Sequence, residues 1–192
     1  QHTGIPASHV LISGTHTHSA GTALGEARYQ ARQELDPYQQ FVARRIADGV
    51  RRAVNLLRPA ELAFGAVDVP DHLFNRRWYM KPGTMPVNPF GTYDKVKMNP
   101  PAGSPDLIEP AGPIDPQVSL ISVREPDGKP ISVFTTYSLH YVGGVGDGHI
   151  SADYFSYYCT ALARQLNVQN QEPPFVGLLA NGTSGDINNI NF

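Results

Sequence analysis

Two histidines separated by one residue, His16 and His18, are the side chains best suited to chemistry in this sequence. They follow the apolar residues 10–14, which predict a buried strand. Side chains at positions i and i+2 of an extended segment point to the same side, so both imidazoles could face one metal ion or one substrate carbonyl. The pair indicates a metal-dependent hydrolase. The alternative is one histidine in a buried hydrogen bond and the other in solvent.

A third histidine, His140, is predicted at the end of another strand. Residues 118–124 and 131–141 are rich in β-formers, and the turn sequence at 126–129 predicts a hairpin between them. Four glycines lie between residues 143 and 148 and allow the backbone to approach a ligand closely. We therefore expect His140 in the site, with a buried histidine bonded to a carbonyl as the alternative.

The remaining elements predict a mixed order of helices and strands. Asp36 and Pro37 are typical of a helix start, and apolar residues at helical spacing continue to residue 57. The arginines off this stripe are interpreted as a solvated face. A strand is predicted at 61–69 and a buried strand at 175–180, the latter followed by a polar, glycine-containing loop at 181–189.

A second helix is predicted from Ser151, which we interpret as its cap, with Asp153 in the first turn. An acidic residue at that position is favoured by the helix dipole alone. It could instead orient a metal-bound histidine. Both interpretations of Asp153 remain open at this point.

Residues 70–116 contain ten prolines and little periodicity, which is unusually long for a connection within a compact domain. Aromatic and cationic side chains at 74–79 favour an ordered loop over a flexible linker. We interpret this proline-rich segment as a wall of the site.

Composition and charge disfavour several classes of function. The 192 residues are enough for one domain with a core, and the net charge of −2 with dispersed Lys and Arg does not favour nucleic acid or an anionic membrane as partner. The single cysteine, Cys159, excludes an internal disulfide and is interpreted as a packing residue. No stretch is long and apolar enough to span a bilayer.

We expect residues 1–192 to be a single partial domain of a larger catalytic domain, because Gln1 is not a start methionine and a buried strand lies close to Phe192. The expected fold class is mixed α/β (α+β). Mixed β-sheets are flanked by helices, and catalytic residues lie on the loops at the strand ends.

Six short motifs in order resemble the catalytic domain of the neutral, non-lysosomal ceramidases. They span nearly the whole chain: Thr15 to Ser19, Asn75-Arg76, Ile114 to Gln117, Ser138 to His140, Ile150 to Asp153, and Gly185 to Asn188.

The resemblance implies a zinc-dependent amidase. Carried over by motif, His16 and His140 are zinc ligands, while His18 and Arg76 face the substrate carbonyl and the developing oxyanion. A glutamate and a tyrosine ligand are expected beyond Phe192. Further residues of the matching motifs are expected to contact substrate or support the ligands, namely Asn75, Asp153, Asp186 and Asn188.

The sequence departs from the family pattern in two places. Ala20-Gly21 replaces a Gly-Pro pair, and Asn188-Asn189 replaces a Ser-Pro pair. Asparagine cannot serve as an acyl acceptor. The chemistry is retained if zinc supplies the nucleophile, because a bound water has its pKa lowered from ~15.7 to about 7.

The function expected from these observations is a zinc-dependent hydrolase of a linear amide, with a lipid or small amide as substrate and contact with a membrane surface only through that substrate. The resemblance implies a secreted, periplasmic or cell-surface location. Two alternatives are a non-catalytic lipid- or glycan-binding module and an amidohydrolase-type barrel. The hairpin and the proline-rich segment disfavour the barrel, and a serine hydrolase built on Ser184 lacks the required spacing.

Overall fold

The computed structural model describes residues 3–24 and 34–192. Within these ranges it contains two α-helices and nine strands. The helices are α1 (Pro37–Asn55) and α2 (Asp153–Gln165). The strands are β1 (Glu61–Asp68), β2 (Phe74–Asn75), β3 (Arg77–Met80), β4 (Val96–Met98), β5 (Leu107–Pro110), β6 (Gln117–Arg124), β7 (Pro130–Tyr137), β8 (Val176–Asn181) and β9 (Ile187–Asn188).

The main sheet has the strand order β1-β6-β7-β8. The first three strands pair antiparallel, and β6 and β7 form the predicted hairpin. Strand β8 pairs parallel with β7, and helix α2 lies in the connection between them. A sheet of mixed direction combined with helices confirms the predicted mixed α+β class, although among the described residues only α2 packs closely on the sheet. The antiparallel hairpin also distinguishes this architecture from a barrel of alternating parallel strands and helices.

Helix α1 begins where the sequence predicts. The Asp36 carboxylate accepts a hydrogen bond from Gln39 N at 2.8 Å, and the Gln39 side chain accepts one from Asp36 N at 3.1 Å. Pro37 occupies the first helical position, where its missing N–H costs nothing. The apolar stripe of α1 is largely exposed in the described part of the chain. Neither described helix is long and apolar enough to cross a membrane.

Helix α2 packs on one face of the main sheet. Thr135 on β7 is fully buried, and its hydroxyl lies 2.6 Å from the Tyr158 hydroxyl on α2. Cys159 lies against Gly177 on β8, where an added Cβ would be 3.4 Å from the cysteine Cβ. Burial raises the pKa of the Cys159 thiol. These contacts agree with the interpretation of Cys159 as a packing residue.

A small core continues from this interface toward the carboxyl end of β7. Leu73, Tyr137, Leu139 and Ile187 form one buried cluster. The Tyr137 hydroxyl donates to the Val69 carbonyl at 2.6 Å. The cluster therefore joins β7, β9 and the start of the proline-rich segment.

The other face of the sheet is apolar and exposed. Phe64, Ile121, Phe134 and Leu178 are paired in one row across the four strands, and Phe64 is 77% exposed. A strand forms where it is predicted at 175–180, but it is not buried: Val176 and Leu178 are exposed, and the residues that face α2 are half-buried.

The predicted strand at residues 10–14 is wrong. This segment forms no β-ladder, and Leu11 is 93% exposed. Strand β8 pairs only with β7 among the described residues, so the apolar residues 10–14 have no strand partner to hold them. An apolar run by itself does not distinguish a paired strand from an unpaired extended segment.

The proline-rich segment 70–116 contains four short strands that the sequence did not indicate. Strands β4, β3 and β5 form a three-stranded sheet, while β2 pairs with β9. The second pairing places Asn75 opposite Ile187 and fastens this segment to the loop that follows β8. Strands of two to four residues between prolines are too short to show an alternating pattern.

Helix α2 begins slightly later than predicted. The Ser151 hydroxyl accepts a hydrogen bond from Asp153 N at 3.0 Å, but Ala152 occupies the cap position and Asp153 is the first helical residue. Ser151 thus closes a turn ahead of the helix.

The core contact of Tyr137 yields a first prediction. Tyr137→Phe removes the hydroxyl that satisfies the Val69 carbonyl, so the free energy of unfolding should fall by about 1–3 kcal/mol. Tyr157→Phe is the matched control, because Tyr157 is 78% exposed and its variant should change stability by no more than about 0.5 kcal/mol. Denaturant unfolding measures both, and equal losses would contradict this account of the core.

Candidate metal and substrate site

Three histidines from two distant parts of the chain meet at one edge of the main sheet. The ring centroids of His16 and His18 are 4.8 Å apart, and those of His16 and His140 are 4.7 Å apart. One nitrogen from each of the three rings lies within 4.8 Å of the other two. His140 is buried, whereas His16 and His18 are exposed. The arrangement gives three imidazole donors that could share one metal ion.

The first two histidines come together through a turn. His16 has φ of +56°, in the left-handed region that residues with a side chain seldom adopt. The two imidazoles are therefore not brought to the same side by the alternation of an extended strand, which is the cause that the sequence predicts. Two backbone contacts hold the segment on either side: the Asn181 side chain donates to Thr15 O at 2.8 Å, and Ser151 N donates to Ser19 O at 3.0 Å.

The orientation of His140 is fixed by a backbone carbonyl. His140 Nδ1 lies 2.8 Å from Ser184 O. Because a carbonyl oxygen only accepts hydrogen bonds, Nδ1 carries the proton and Nε2 keeps its lone pair. Histidines that bind a metal through one ring nitrogen commonly donate from the other to a carbonyl or carboxylate, and His140 has this arrangement. The two interpretations of His140 from the sequence are therefore compatible. The residue is buried and bonded to a carbonyl, and it also belongs to the histidine cluster.

The electrostatic environment favours the neutral forms of two of these histidines. Burial lowers the pKa of His140 below its ordinary value, and the charge of Arg76 lowers it further. Burial also lowers the pKa of His18, with contributions from the charges of His16 and Arg76. A neutral imidazole is the form that binds metal ions or donates a single hydrogen bond.

Arg76 is fastened to the loop that follows β8. Its Nε and Nη2 both donate to Gly185 O, at 3.1 and 2.6 Å, and its backbone N donates to Asp186 O at 2.7 Å. The guanidinium is thereby held in one orientation, near enough to His18 and His140 to influence the pKa of both.

Three successive carbonyls of this loop therefore position site residues. Ser184 O orients His140, Gly185 O holds the Arg76 side chain, and Asp186 O holds the Arg76 backbone. The loop is in turn fixed by Ser138, whose hydroxyl accepts from Thr183 N at 3.2 Å. We call residues 182–186 the carbonyl loop.

Asn75 and Asp186 support the carbonyl loop. Asn75 is buried, and its Nδ2 donates to Pro113 O at 3.2 Å and to an Asp186 carboxylate oxygen at 3.3 Å. Its Oδ1 accepts from Arg77 N at 2.9 Å. With both ends of its amide in use, Asn75 joins the proline-rich segment to the carbonyl loop.

Asp153 has a different set of contacts from those expected of a residue that orients a histidine. It is buried with φ of +52°, and its carboxylate accepts from Gly143 N at 2.8 Å and from Tyr154 N. Among the described residues it forms no hydrogen bond to a histidine. The carbonyl of Ser184 orients His140 instead.

Asn188 lies on β9, where it pairs with Phe74. Its Nδ2 is 3.5 Å from Asn99 Oδ1, and its own Oδ1 accepts from Asn189 N at 2.7 Å. These contacts place the Asn188 side chain toward the proline-rich segment.

Two groups of the site lie outside the residues predicted from the sequence. The ring of Tyr141 stacks on His18 with centroids 5.0 Å apart and planes inclined by 27°. The Ser184 carbonyl is the other. The adjacency of Tyr141 to His140 was a signal for the first, but no sequence pattern identifies a backbone acceptor.

The sequence matches no protein-family model and no curated protein. The fold, however, matches solved structures. A neutral ceramidase from Pseudomonas aeruginosa superposes on 78% of this chain with a TM-score of 0.50 and 16% identity, and a ceramidase complexed with C2 superposes on 79% with a TM-score of 0.50 and 20% identity. This chain has a ceramidase-type fold. It spans 20% of the length of each of these proteins.

The carbonyl loop yields a second prediction. An added Cβ at Gly182 would lie 2.8 Å from Ser138 Oγ and 3.3 Å from the Tyr137 carbonyl carbon, so Gly182→Ala must displace the loop. We expect it to lower the free energy of unfolding by about 1–3 kcal/mol. Gly185→Ala is the control, because nothing lies within 4 Å of its added Cβ. Similar unfolding midpoints for the two variants would contradict the proposed packing.

Proposed function

We propose that this chain forms part of the centre of a zinc-dependent hydrolase of linear amides, of the neutral ceramidase type. The observation that carries the proposal is the convergence of His16, His18 and His140, with the Nε2 lone pair of His140 left free by its bond to Ser184 O. The fold shared with neutral ceramidases and the six ordered motifs support the same assignment.

The donor set suits zinc. Imidazole nitrogen is a common zinc ligand, and catalytic zinc sites use protein ligands that leave one position open. In this proposal His16 and His140 hold the metal ion, as the motif resemblance implies. The lowered pKa of His140 keeps its ring neutral at neutral pH, so a metal ion does not have to displace a proton from it.

Bound zinc supplies a water acidified to a pKa of about 7 and polarises the substrate carbonyl. His18 and Arg76 supply the hydrogen-bond donors in this mechanism. Neutral His18 donates one hydrogen bond, and the fixed guanidinium of Arg76 adds a permanent positive charge beside the developing oxyanion. No serine is required at position 188 for this chemistry.

The proposed substrate is a lipid amide or a small linear amide. A lipid substrate would bring the protein to a membrane surface, and we propose a secreted, periplasmic or cell-surface location on the strength of the family resemblance. Residues 1–192 are proposed to be one part of a larger catalytic domain, with the segment 70–116 forming a wall of the site. Nucleic acid is not a proposed partner, given the net charge of −2.

Metal content tests this proposal directly. We expect the natural protein to bind about one zinc ion per chain at this site. His16→Ala and His140→Ala should each lose most of that zinc while remaining folded. His72→Ala is the control, because His72 is exposed and lies outside the cluster.

Elemental analysis and circular dichroism of the four proteins give the answer. Folded protein without metal after zinc is supplied would contradict the hydrolase proposal and favour a lipid- or glycan-binding module. Zinc loss in the His72 variant equal to that in the other two would place the metal elsewhere.

Arg76→Lys tests the role of the fixed guanidinium. Lysine keeps the charge but cannot present two nitrogens to Gly185 O in the same plane, so we expect kcat for hydrolysis of an N-acyl amine to fall by about 10²-fold to 10³-fold. Zinc content should not change. Arg77→Lys is the control, since Arg77 is exposed and its side chain does not bond to the carbonyl loop. Equal rates in the two variants would contradict a role for Arg76 in the reaction.

A further inference from the structure

We propose that Tyr141 is the positioning residue for His18, and that Asp153 holds Tyr141 in place by fixing the glycine turn that follows it. This inference rests on the proposed function for its catalytic consequence. The geometry itself is a property of the folded chain and is testable without activity.

The first observation is that His18 is held by contacts between rings: Tyr141 stacks on it, while His16 and His140 meet it edge-on with centroids 4.8 and 5.3 Å away. Within the described residues neither ring nitrogen of His18 has a hydrogen-bond partner, and the side chain is exposed. An exposed imidazole without a partner would sample several rotamers. The Tyr141 ring lies 5.0 Å away at an inclination of 27°, and such stacking favours one orientation of the imidazole plane.

The second observation is that Tyr141 is itself rigid. It is 5% exposed, and its hydroxyl donates to Ser151 O at 3.3 Å. Ser151 N in turn donates to Ser19 O, which belongs to the residue after His18. The tyrosine is therefore tied at its hydroxyl to the same turn that holds the histidine segment.

The third observation concerns the glycine turn that follows Tyr141 and the aspartate bonded to it. Gly143 and Gly144 have φ of +84° and +75°, so the chain after Tyr141 depends on conformations that glycine adopts readily. The buried Asp153 carboxylate accepts from Gly143 N at 2.8 Å and closes this turn. Asp153 is itself held at φ of +52°, an unfavourable conformation that persists only where surrounding contacts impose it.

Together these contacts form one connected path from Asp153 through Gly143 and Tyr141 to His18. The path accounts for a buried aspartate with positive φ that, within the described residues, forms no hydrogen bond to a histidine. In a hydrolase it would fix the imidazole plane relative to the substrate carbonyl before substrate binds.

Nuclear magnetic resonance of the natural protein with isotopically labelled histidine tests the proposal. We expect nuclear Overhauser contacts between the ring protons of His18 and Tyr141, and His18 ring protons displaced by the tyrosine ring current. His18→Gln assigns the resonances. Tyr141→Phe should preserve the displacement, because the ring remains, and Tyr141→Leu should abolish it.

Kinetics with an N-acyl amine substrate provide the second readout. Tyr141→Leu should lower kcat by about tenfold to hundredfold with little change in KM or zinc content. Tyr141→Phe should retain most of the wild-type kcat, because it keeps the ring. Asp153→Asn should displace the His18 resonances in the same direction as Tyr141→Leu, to a smaller extent.

Absence of the Overhauser contacts in the wild-type protein overturns the proposal even if Tyr141→Leu does not fold. Unchanged His18 resonances in Tyr141→Leu, or equal kcat losses in the Phe and Leu variants, also overturn it. A wild-type protein that shows the contacts but neither binds zinc nor hydrolyses amides would refute the proposed function and leave the positioning of His18 established.

Discussion

The site depends above all on the backbone carbonyls of residues 184–186. Each successive carbonyl accepts from a different site group, and the three acceptors are spaced by the peptide geometry of a short 3₁₀ turn. Because the acceptors belong to the main chain, their relative positions are set by the fold and not by side-chain rotamers. His140 and Arg76 therefore share one rigid reference, which is the kind of preorganisation that catalytic electrostatics requires.

The pairing of strands explains why this loop meets the histidines. Strands β7 and β8 run parallel, so the residues that follow each strand emerge at the same edge of the sheet. His140 follows β7 and the carbonyl loop follows β8. The short pairing of β2 with β9 then brings Arg76 to that edge, which explains how a proline-rich segment without long strands contributes a catalytic candidate.

The sequence predicted the parts of this arrangement that depend on local patterns. The Asp36-Pro37 helix start, the hairpin turn at 126–129 and the apolar strand 61–69 each follow from short-range chemistry, and the structure contains all three elements. The histidine cluster was expected from residue type and motif order, and the side chains do converge.

The rest depends on contacts that local patterns do not encode. Residues 10–14 have the composition of a strand but no partner among the described strands, and His16 turns through a left-handed conformation that its residue type does not favour. Ser184 accepts the hydrogen bond through its backbone carbonyl, so the identity of its side chain does not indicate this role. Tyr141 was interpreted only as the end of a strand, because its partner lies more than a hundred positions away in sequence.

The sequence separation of these contacts bears on how the site comes into existence. The bond between His140 and Ser184 spans 44 residues, and that between Asn181 and Thr15 spans 166. Closing such long loops costs chain entropy before any contact is gained, so local structure alone does not assemble the site. A chain in which these contacts have not formed holds its histidines apart, so the proposed metal site comes into existence only together with the tertiary structure.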